Sequence, residues 1–148
     1  MNLYLDVCCL NRPFDDQTQP RIRLEAEAVL MILQQVAAGQ ARWIGSEVLG
    51  LEIEQTPDPD RKERVRLLTS GAQCSVVVGE THVQRAEQLV GVGFHPLDAL
   101  HIACAEAGGS DMFLTTDDRL LRVARRCVSH LHIRVENPLT WLQETMGI

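Results

Sequence analysis

Short apolar runs alternate with longer segments of helical periodicity along this chain. The runs predict strands at residues 3–7, 42–44, 74–78, 112–115 and 130–135. Between and after them, apolar spacing, prolines and glycines predict helices at 20–38, 46–55, 59–71, 81–90 and 96–107, and an arginine-rich helix after Asp117. A last helix is predicted to begin at Asn137-Pro138, with Leu139, Leu142 and Met146 on its inner face. Ser46, Asp58 and Asn137 stand at the starts of three of these helices, where they would cap them. This alternation predicts an α/β fold, a three-layer α/β/α sandwich around a mostly parallel sheet of about five strands. We expect one domain over residues 1–148.

The predicted helix at 96–107 is unusual because residues 99–105 carry no permanent charge. Such a helix is buried on most sides. It nevertheless begins with Asp98 in its first turn, and Asp117 follows the next apolar run. A carboxylate at each end of a buried helix–strand unit requires an explanation.

A third carboxylate that requires an explanation is Glu52. At about 100° per residue, the apolar residues Val48, Leu49, Leu51 and Ile53 sweep out one arc of the helix at 46–55. Glu52 falls near the middle of that arc, whereas Glu47 and Glu54 fall opposite. A carboxylate directed at a core is costly unless it is paired or binds metal.

Sites in open parallel sheets lie beyond the carboxyl ends of the strands, which is where Asp6, Asp98 and Asp117 fall in this prediction. Together with Glu52 they form a candidate set of four acids for Mg²⁺ or Mn²⁺, which prefer oxygen ligands. Each acid also has a plain structural explanation, as a helix cap, a dipole partner, a turn former or an ion pair. His101, one turn after Asp98, is interpreted as a core histidine with satisfied hydrogen bonds; the alternative is a metal ligand or a proton shuttle.

Composition narrows the function classes. No apolar run is long enough to span a membrane, and five cysteines without metal-ligand spacing favour a reducing cytoplasm. The net charge of −6 argues against a protein that grips nucleic acid through bulk electrostatics. Two arginine-rich clusters, at 61–66 and 119–126, are either solvated helix faces or phosphate contacts.

The ordered motifs Tyr-Leu-Asp6, Ser46-x5-Glu52, Asp98-Ala-Leu-His-Ile-Ala and Leu-Thr-Thr-Asp117 resemble those of the PIN domain, over nearly the whole chain. That family contains small Mg²⁺- or Mn²⁺-dependent ribonucleases, including the VapC-like toxins of toxin–antitoxin pairs. The resemblance implies that the four acids are catalytic and bind the metal. Cys8 and Cys9 depart from it, because small hydroxyl residues are frequent there in the family.

The resemblance also implies a mechanism and partners. A metal-activated water would attack an RNA phosphodiester in line and leave a 5′-phosphate and a 3′-hydroxyl. Asn11, Arg12 and Asp118 are the candidate substrate-binding residues, and Asp118 is also the alternative to Asp117 as a ligand. A cognate antitoxin and a homodimer built on the early helices are expected. The competing hypothesis is a PIN-like domain that no longer cuts and serves as an RNA- or protein-binding module.

Overall fold

A parallel sheet of five strands forms the centre of the protein in the computed structural model, which describes residues 1–147. The strands are β1 (Asn2–Leu5), β2 (Arg42–Ser46), β3 (Cys74–Val76), β4 (Met112–Leu114) and β5 (Arg134–Glu136). Their order across the sheet is β3-β2-β1-β4-β5, and every neighbouring pair is parallel. Helices cover both faces, which confirms the predicted α/β/α fold.

Eight helices connect and flank these strands. They are α1 (Val7–Asn11), α2 (Pro20–Ala37), α3 (Glu47–Glu54), α4 (Pro59–Thr69), α5 (Glu80–Val92), α6 (Pro96–Ala107), α7 (Asp118–Arg126) and α8 (Pro138–Met146). Several begin where the sequence supplies a cap: Ser46, Asp58, Asp117 and Asn137 each accept hydrogen bonds from backbone N–H groups of the first turn.

Side-chain alternation along the strands divides the interior into two cores. On β1, Leu3 and Leu5 join the core under α1, α2, α4 and α8, whereas Tyr4 joins the core under α5, α6 and α7. On β4, Phe113 stacks on Tyr4 with ring centroids 5.2 Å apart. The period of two thus places two apolar layers on opposite faces of one sheet.

Helix α6 is as buried as its uncharged sequence predicts, since six of its residues, including His101, are buried. It ends against β2 and β3 at Gly108. A Cβ on Gly108 would lie 2.8 Å from methyl groups of both Ile44 and Val76. Glycine is therefore required for this close packing, as well as being a helix terminator.

The first strand and the turn after it differ from the prediction. Strand β1 ends at Leu5, and residues 7–11 form α1 in place of a strand end, followed by a 3₁₀ turn at Arg12–Phe14. Asp6 causes the change because its side chain accepts the N–H of Val7 and caps the helix. Residues 128–130 likewise form a 3₁₀ turn, so the last strand is shorter than predicted.

Three smaller expectations are wrong. Helix α5 begins at Glu80, because the ring of His82 accepts the N–H of Gly79 at 2.8 Å and fixes the turn one residue before Thr81. Leu51 and Met146, predicted to face inward, are 60% and 47% exposed. In each helix other apolar side chains already fill the inner face, including Ile53 in α3 and Trp141 in α8, which periodicity alone does not rank.

Among residues 1–147, no helix combines the length and the apolar character that crossing a membrane requires.

Candidate active site

The predicted acids lie at the carboxyl edge of the sheet, where the strand order changes direction. Strands β1 and β4 are neighbours, yet the helices that follow them pack on opposite faces. Asp6 comes directly after β1, and Asp117 follows β4 by three residues. This divergence opens a crevice, the usual location of sites in parallel α/β sheets.

Asp6 is buried and held by several donors. Its Oδ1 accepts the N–H of Val7 at 2.9 Å, and its Oδ2 accepts the hydroxyl of Thr115 at 2.9 Å. Cys8 Sγ lies 3.5 Å from the same Oδ2. Burial raises the pKa of Asp6, and His101 and Thr115 oppose the increase. A carboxylate fixed this way presents its remaining lone pairs in one orientation.

Glu52 projects from α3 toward α6, as its place in the apolar arc predicts. Its side chain is 21% exposed, and Oε1 forms a short contact with Nε2 of the fully buried His101. One ligand atom from each of Asp6, Glu52 and His101 lies within 4.8 Å of the others. These side chains therefore converge from β1, α3 and α6 on one point.

A chain of buried hydrogen bonds supports this histidine. His101 Nδ1 lies 2.6 Å from the hydroxyl of Tyr4, which lies 2.6 Å from Ser46 Oγ. Ser46 Oγ already accepts the N–H of Leu49, so its own proton is available to Tyr4. An ionised carboxylate can only accept, so Nε2 of His101 donates to Glu52, and Nδ1 of a neutral ring then accepts the phenol proton of Tyr4. Burial raises the pKa of Tyr4, which keeps its phenol protonated.

The surroundings of Asp98 disfavour its charged form. Burial, followed by the charges of Asp6 and Asp117, raises the pKa of Asp98 to about 6, and His101 partly opposes the increase. Within residues 1–147, no lysine or arginine nitrogen lies within 4.0 Å of a carboxylate of the four predicted acids, Asp6, Glu52, Asp98 and Asp117. These four acids, which we name the acidic cluster, therefore repel one another, and no arginine or lysine of residues 1–147 pairs with them.

The structure separates Asp117 from Asp118. Asp117 caps α7 through Oδ1, which accepts the N–H groups of Arg119 and Leu120, and its own N–H donates to Thr115. Asp118 instead forms a bidentate pair with Arg21, both contacts being 2.7 Å. Asp117 lies close enough to Asp98 for its charge to raise the pKa of that residue, whereas Asp118 is held by Arg21 of α2. Neither Asp98 nor Asp117 belongs to the group of ligand atoms within 4.8 Å of one another.

The other two predicted substrate contacts, Asn11 and Arg12, are also occupied within the chain. Asn11 bonds to the carbonyl of Val7 and to Arg61. Arg12 donates to Asp15 and to the buried Glu25 at 2.9 Å. Their role in substrate binding stays a prediction. To contact a substrate, each side chain would have to share or exchange the intramolecular partner that it has here.

Sequence reasoning missed the supporting residues Tyr4, Thr115 and the second role of His101. His101 is a buried histidine with satisfied hydrogen bonds, as expected, but one of its partners is an acid of the cluster. Its position one turn after Asp98 was the available signal. Cys8 stands where a hydroxyl was expected and accepts the N–H of Thr116 through its sulfur at 3.3 Å.

The donor set fits a hard divalent cation. Two of the three converging side chains offer carboxylate oxygens. Burial, followed by the charges of Asp6 and Asp117, raises the pKa of Asp98, and a nearby cation would favour its charged form. His101 directs Nε2 at Glu52, so its place is beside a ligand and not at the metal.

Comparison with solved structures finds a chain in the crystal structure of VapBC2 from Rickettsia felis bound to a DNA fragment from their promoter. The two chains share 12% sequence identity with a TM-score of 0.61, over 93% of this chain and 98% of that one, and so share a fold. No curated protein sequence matches this chain. The PIN domain model matches residues 3–126. The family predicted from the acidic motifs is confirmed, and the chain belongs to the PIN domain family.

Proposed function

We propose that this protein is a Mg²⁺- or Mn²⁺-dependent endoribonuclease. PIN domains are generally nucleases and use divalent metals. The observation that carries the proposal is the convergence of Asp6, Glu52 and His101. Asp6 and Asp117 also lie close enough to Asp98 to raise its pKa, and among residues 1–147 no arginine or lysine nitrogen lies within 4.0 Å of these acids. An acidic cluster of this kind costs stability without a cation.

The four acids Asp6, Glu52, Asp98 and Asp117 would hold the metal. When bound, the cation supplies an activated water and neutralises charge that develops on the phosphoryl group. The chain's own part is to hold these oxygens in place: Thr115 orients Asp6, the Tyr4–His101 pair orients Glu52, and α6 fixes Asp98.

The test is cleavage of single-stranded and structured RNAs by the purified protein, with Mn²⁺ or with EDTA. We expect Asp6→Asn and Asp98→Asn to lower the Mn²⁺-dependent rate by at least about a thousandfold, as removal of a central catalytic group does. Asp60→Asn, which changes an exposed acid in the first turn of α4, is the matched control and should cleave like wild type.

The alternative, a non-cutting binding module, makes the opposite prediction. Calorimetric titration would then show no Mn²⁺ binding at millimolar concentration, and RNA would stay intact in every buffer. Full cleavage by both Asp→Asn variants would contradict the assignment of the site even if wild-type protein is active.

We also propose that the protein is the toxin of a toxin–antitoxin pair. The support is the resemblance of its motifs to VapC-like toxins and the shared fold with a chain of VapBC2. Expression of the wild-type chain should arrest growth, and Asp98→Asn should abolish the arrest. A homodimer remains the expected oligomeric state, and light scattering of the purified chain measures it.

A further inference from the structure

The two arginine-rich segments of the sequence differ once the fold is known. On α4, Arg61 donates to Asp15 at 2.7 Å and to the carbonyl of Phe14. Lys62 and Arg66 both pair with Glu54. Most of the positive charge of α4 is therefore neutralised within the protein, and this cluster holds neighbouring elements together.

The arginines of α7 are different. Arg119, Arg122 and Arg126 are exposed, and in the described part of the chain none of their side chains lies within 4.0 Å of a carboxylate. Arg122 stands four residues after Asp118, a spacing that favours a helical ion pair. Asp118, however, has both oxygens on Arg21. Arg122 therefore lies near enough to Asp118 to feel its charge but forms no direct ion pair with it.

These three side chains form one row, which we name the α7 arginine stripe (Arg119, Arg122, Arg126). At about 100° per residue they fall within about 60° of one another. The opposite face of α7 is buried through Leu120, Leu121, Val123 and Ala124. Successive members are about 4.5 and about 6 Å apart along the helix axis. The stripe begins two residues after Asp117, at the edge of the acidic cluster, and runs away from it.

Helix electrostatics do not account for the stripe. The helix dipole favours cations in the last turn, which suits Arg126, but it disfavours them in the first turn, where Arg119 lies. Asp117 and Asp118 offset that cost only in part, because Asp118 is committed to Arg21. A row of exposed arginines that form no ion pair within residues 1–147 is therefore available to a ligand that brings negative charge.

We propose that the α7 arginine stripe binds the phosphates of the RNA strand next to the phosphodiester held at the acidic cluster. This inference rests on the proposed ribonuclease function. An acidic chain of net charge −6 repels RNA, so a local basic track that starts at the site is the feature that guides the strand. Arginine suits the task because its guanidinium binds phosphate in bidentate fashion.

The experiment measures RNA binding apart from cleavage. A fluorescent single-stranded RNA is titrated with wild-type protein in EDTA, from about 50 to about 200 mM KCl. The triple variant R119Q/R122Q/R126Q should bind about tenfold or more weakly at the lowest salt. Its log–log salt slope should be smaller by about 2, since each single-strand phosphate contact contributes about 0.7.

Two variants serve as controls. Arg64→Gln removes an exposed arginine of α4 that has no carboxylate partner among residues 1–147, and should bind RNA like wild type. R119K/R122K/R126K keeps the charge and should restore most of the binding and the salt slope. Circular dichroism verifies that each variant is folded.

Unchanged affinity and salt slope in the glutamine triple variant would overturn the proposal. Loss of binding to a polyglutamate peptide with unchanged RNA binding would overturn it as well, because the stripe would then serve an acidic protein. Failure of the ribonuclease function is distinguishable, since wild-type protein would then leave RNA intact in Mn²⁺ whatever the triple variant binds.

Discussion

Two buried carboxylates in this protein, Glu25 and Asp6, have opposite kinds of partner. Glu25 on α2 is 1% exposed, and its oxygens accept Arg12 at 2.9 Å, Arg21 at 3.4 Å and the amide of Asn137 at 2.6 Å. The acidic cluster around Asp6 has hydroxyl, histidine and backbone partners but no arginine or lysine among residues 1–147.

The difference separates an acid with basic partners from acids without them. Both carboxylate oxygens of Glu25 accept hydrogen bonds from charged or polar side chains. These donors lie in the turn after α1, in α2 and at the start of α8, so Glu25 joins the three segments. The acidic cluster has no arginine or lysine partner among residues 1–147. Burial, followed by the charges of Asp6 and Asp117, raises the pKa of Asp98, and the cation proposed above would offset both effects. Burial alone therefore does not identify a site; burial without a neutralising partner does.

Removing a partner of Glu25 should have the largest effect on stability. Arg12→Ala leaves a buried carboxylate with only a long contact to Arg21 and the amide of Asn137. We expect the free energy of unfolding to fall by about 3 kcal/mol in urea denaturation. Arg23→Ala, an exposed change on the same helix, should stay within about 0.5 kcal/mol of wild type. Equal stability of the two variants would contradict the structural role of Glu25.

Metal should stabilise one centre only. At a free Mn²⁺ concentration a hundredfold above Kd, wild-type protein should gain about 2.7 kcal/mol of unfolding free energy. Glu25→Gln should be less stable than wild type but gain the same increment, whereas Asp6→Asn should gain little. Thermal melts with and without Mn²⁺ measure this, and an increment that survives in Asp6→Asn would place the ion elsewhere.

The hydrogen-bonded support of the cluster should have a moderate effect. Tyr4→Phe removes the donor to His101 Nδ1 and frees the ring that orients Glu52. Loss of such a supporting contact costs about tenfold in metal affinity or activity. Calorimetry with Mn²⁺ checks the affinity. Phe at this position keeps the stacking on Phe113, so an unchanged affinity would show that Tyr4 is only a packing residue.

The smallest expected effect is a pH dependence of the metal-free protein. Because the pKa of Asp98 rises from 3.8 to about 6 on folding, the folded state binds the proton more tightly than the unfolded state. The contribution of Asp98 to the free energy of unfolding is then fully present below about pH 4 and is lost as pH rises through about 6. We expect it to be about 1 kcal/mol, because the group is partly exposed. The difference between wild type and Asp98→Asn across that range isolates the effect. A flat difference would contradict it.

Much of the fold was predictable because its signals are local. The strand runs, the capping residues Ser46, Asp58 and Asn137, and the uncharged face of α6 each act within a few residues, and the structure confirms them. Helix α1 was not predictable from its apolar pattern, because it depends on Asp6 turning the chain immediately after β1.

The sequence by itself determined the α/β/α architecture, the PIN family and the inward direction of Glu52, since periodicity and motif order express them directly. Tertiary structure alone decided which charges are free. It pairs Glu25 with Arg12 and Arg21, and it pairs Asp118 with Arg21 in place of Arg122. It also brings His101 into contact with Glu52, and Tyr4 into contact with His101. The physical reason is that an ion pair or a hydrogen bond depends on distance in space, and partners as far apart as Arg21 and Asp118 meet only when the sheet brings their helices together.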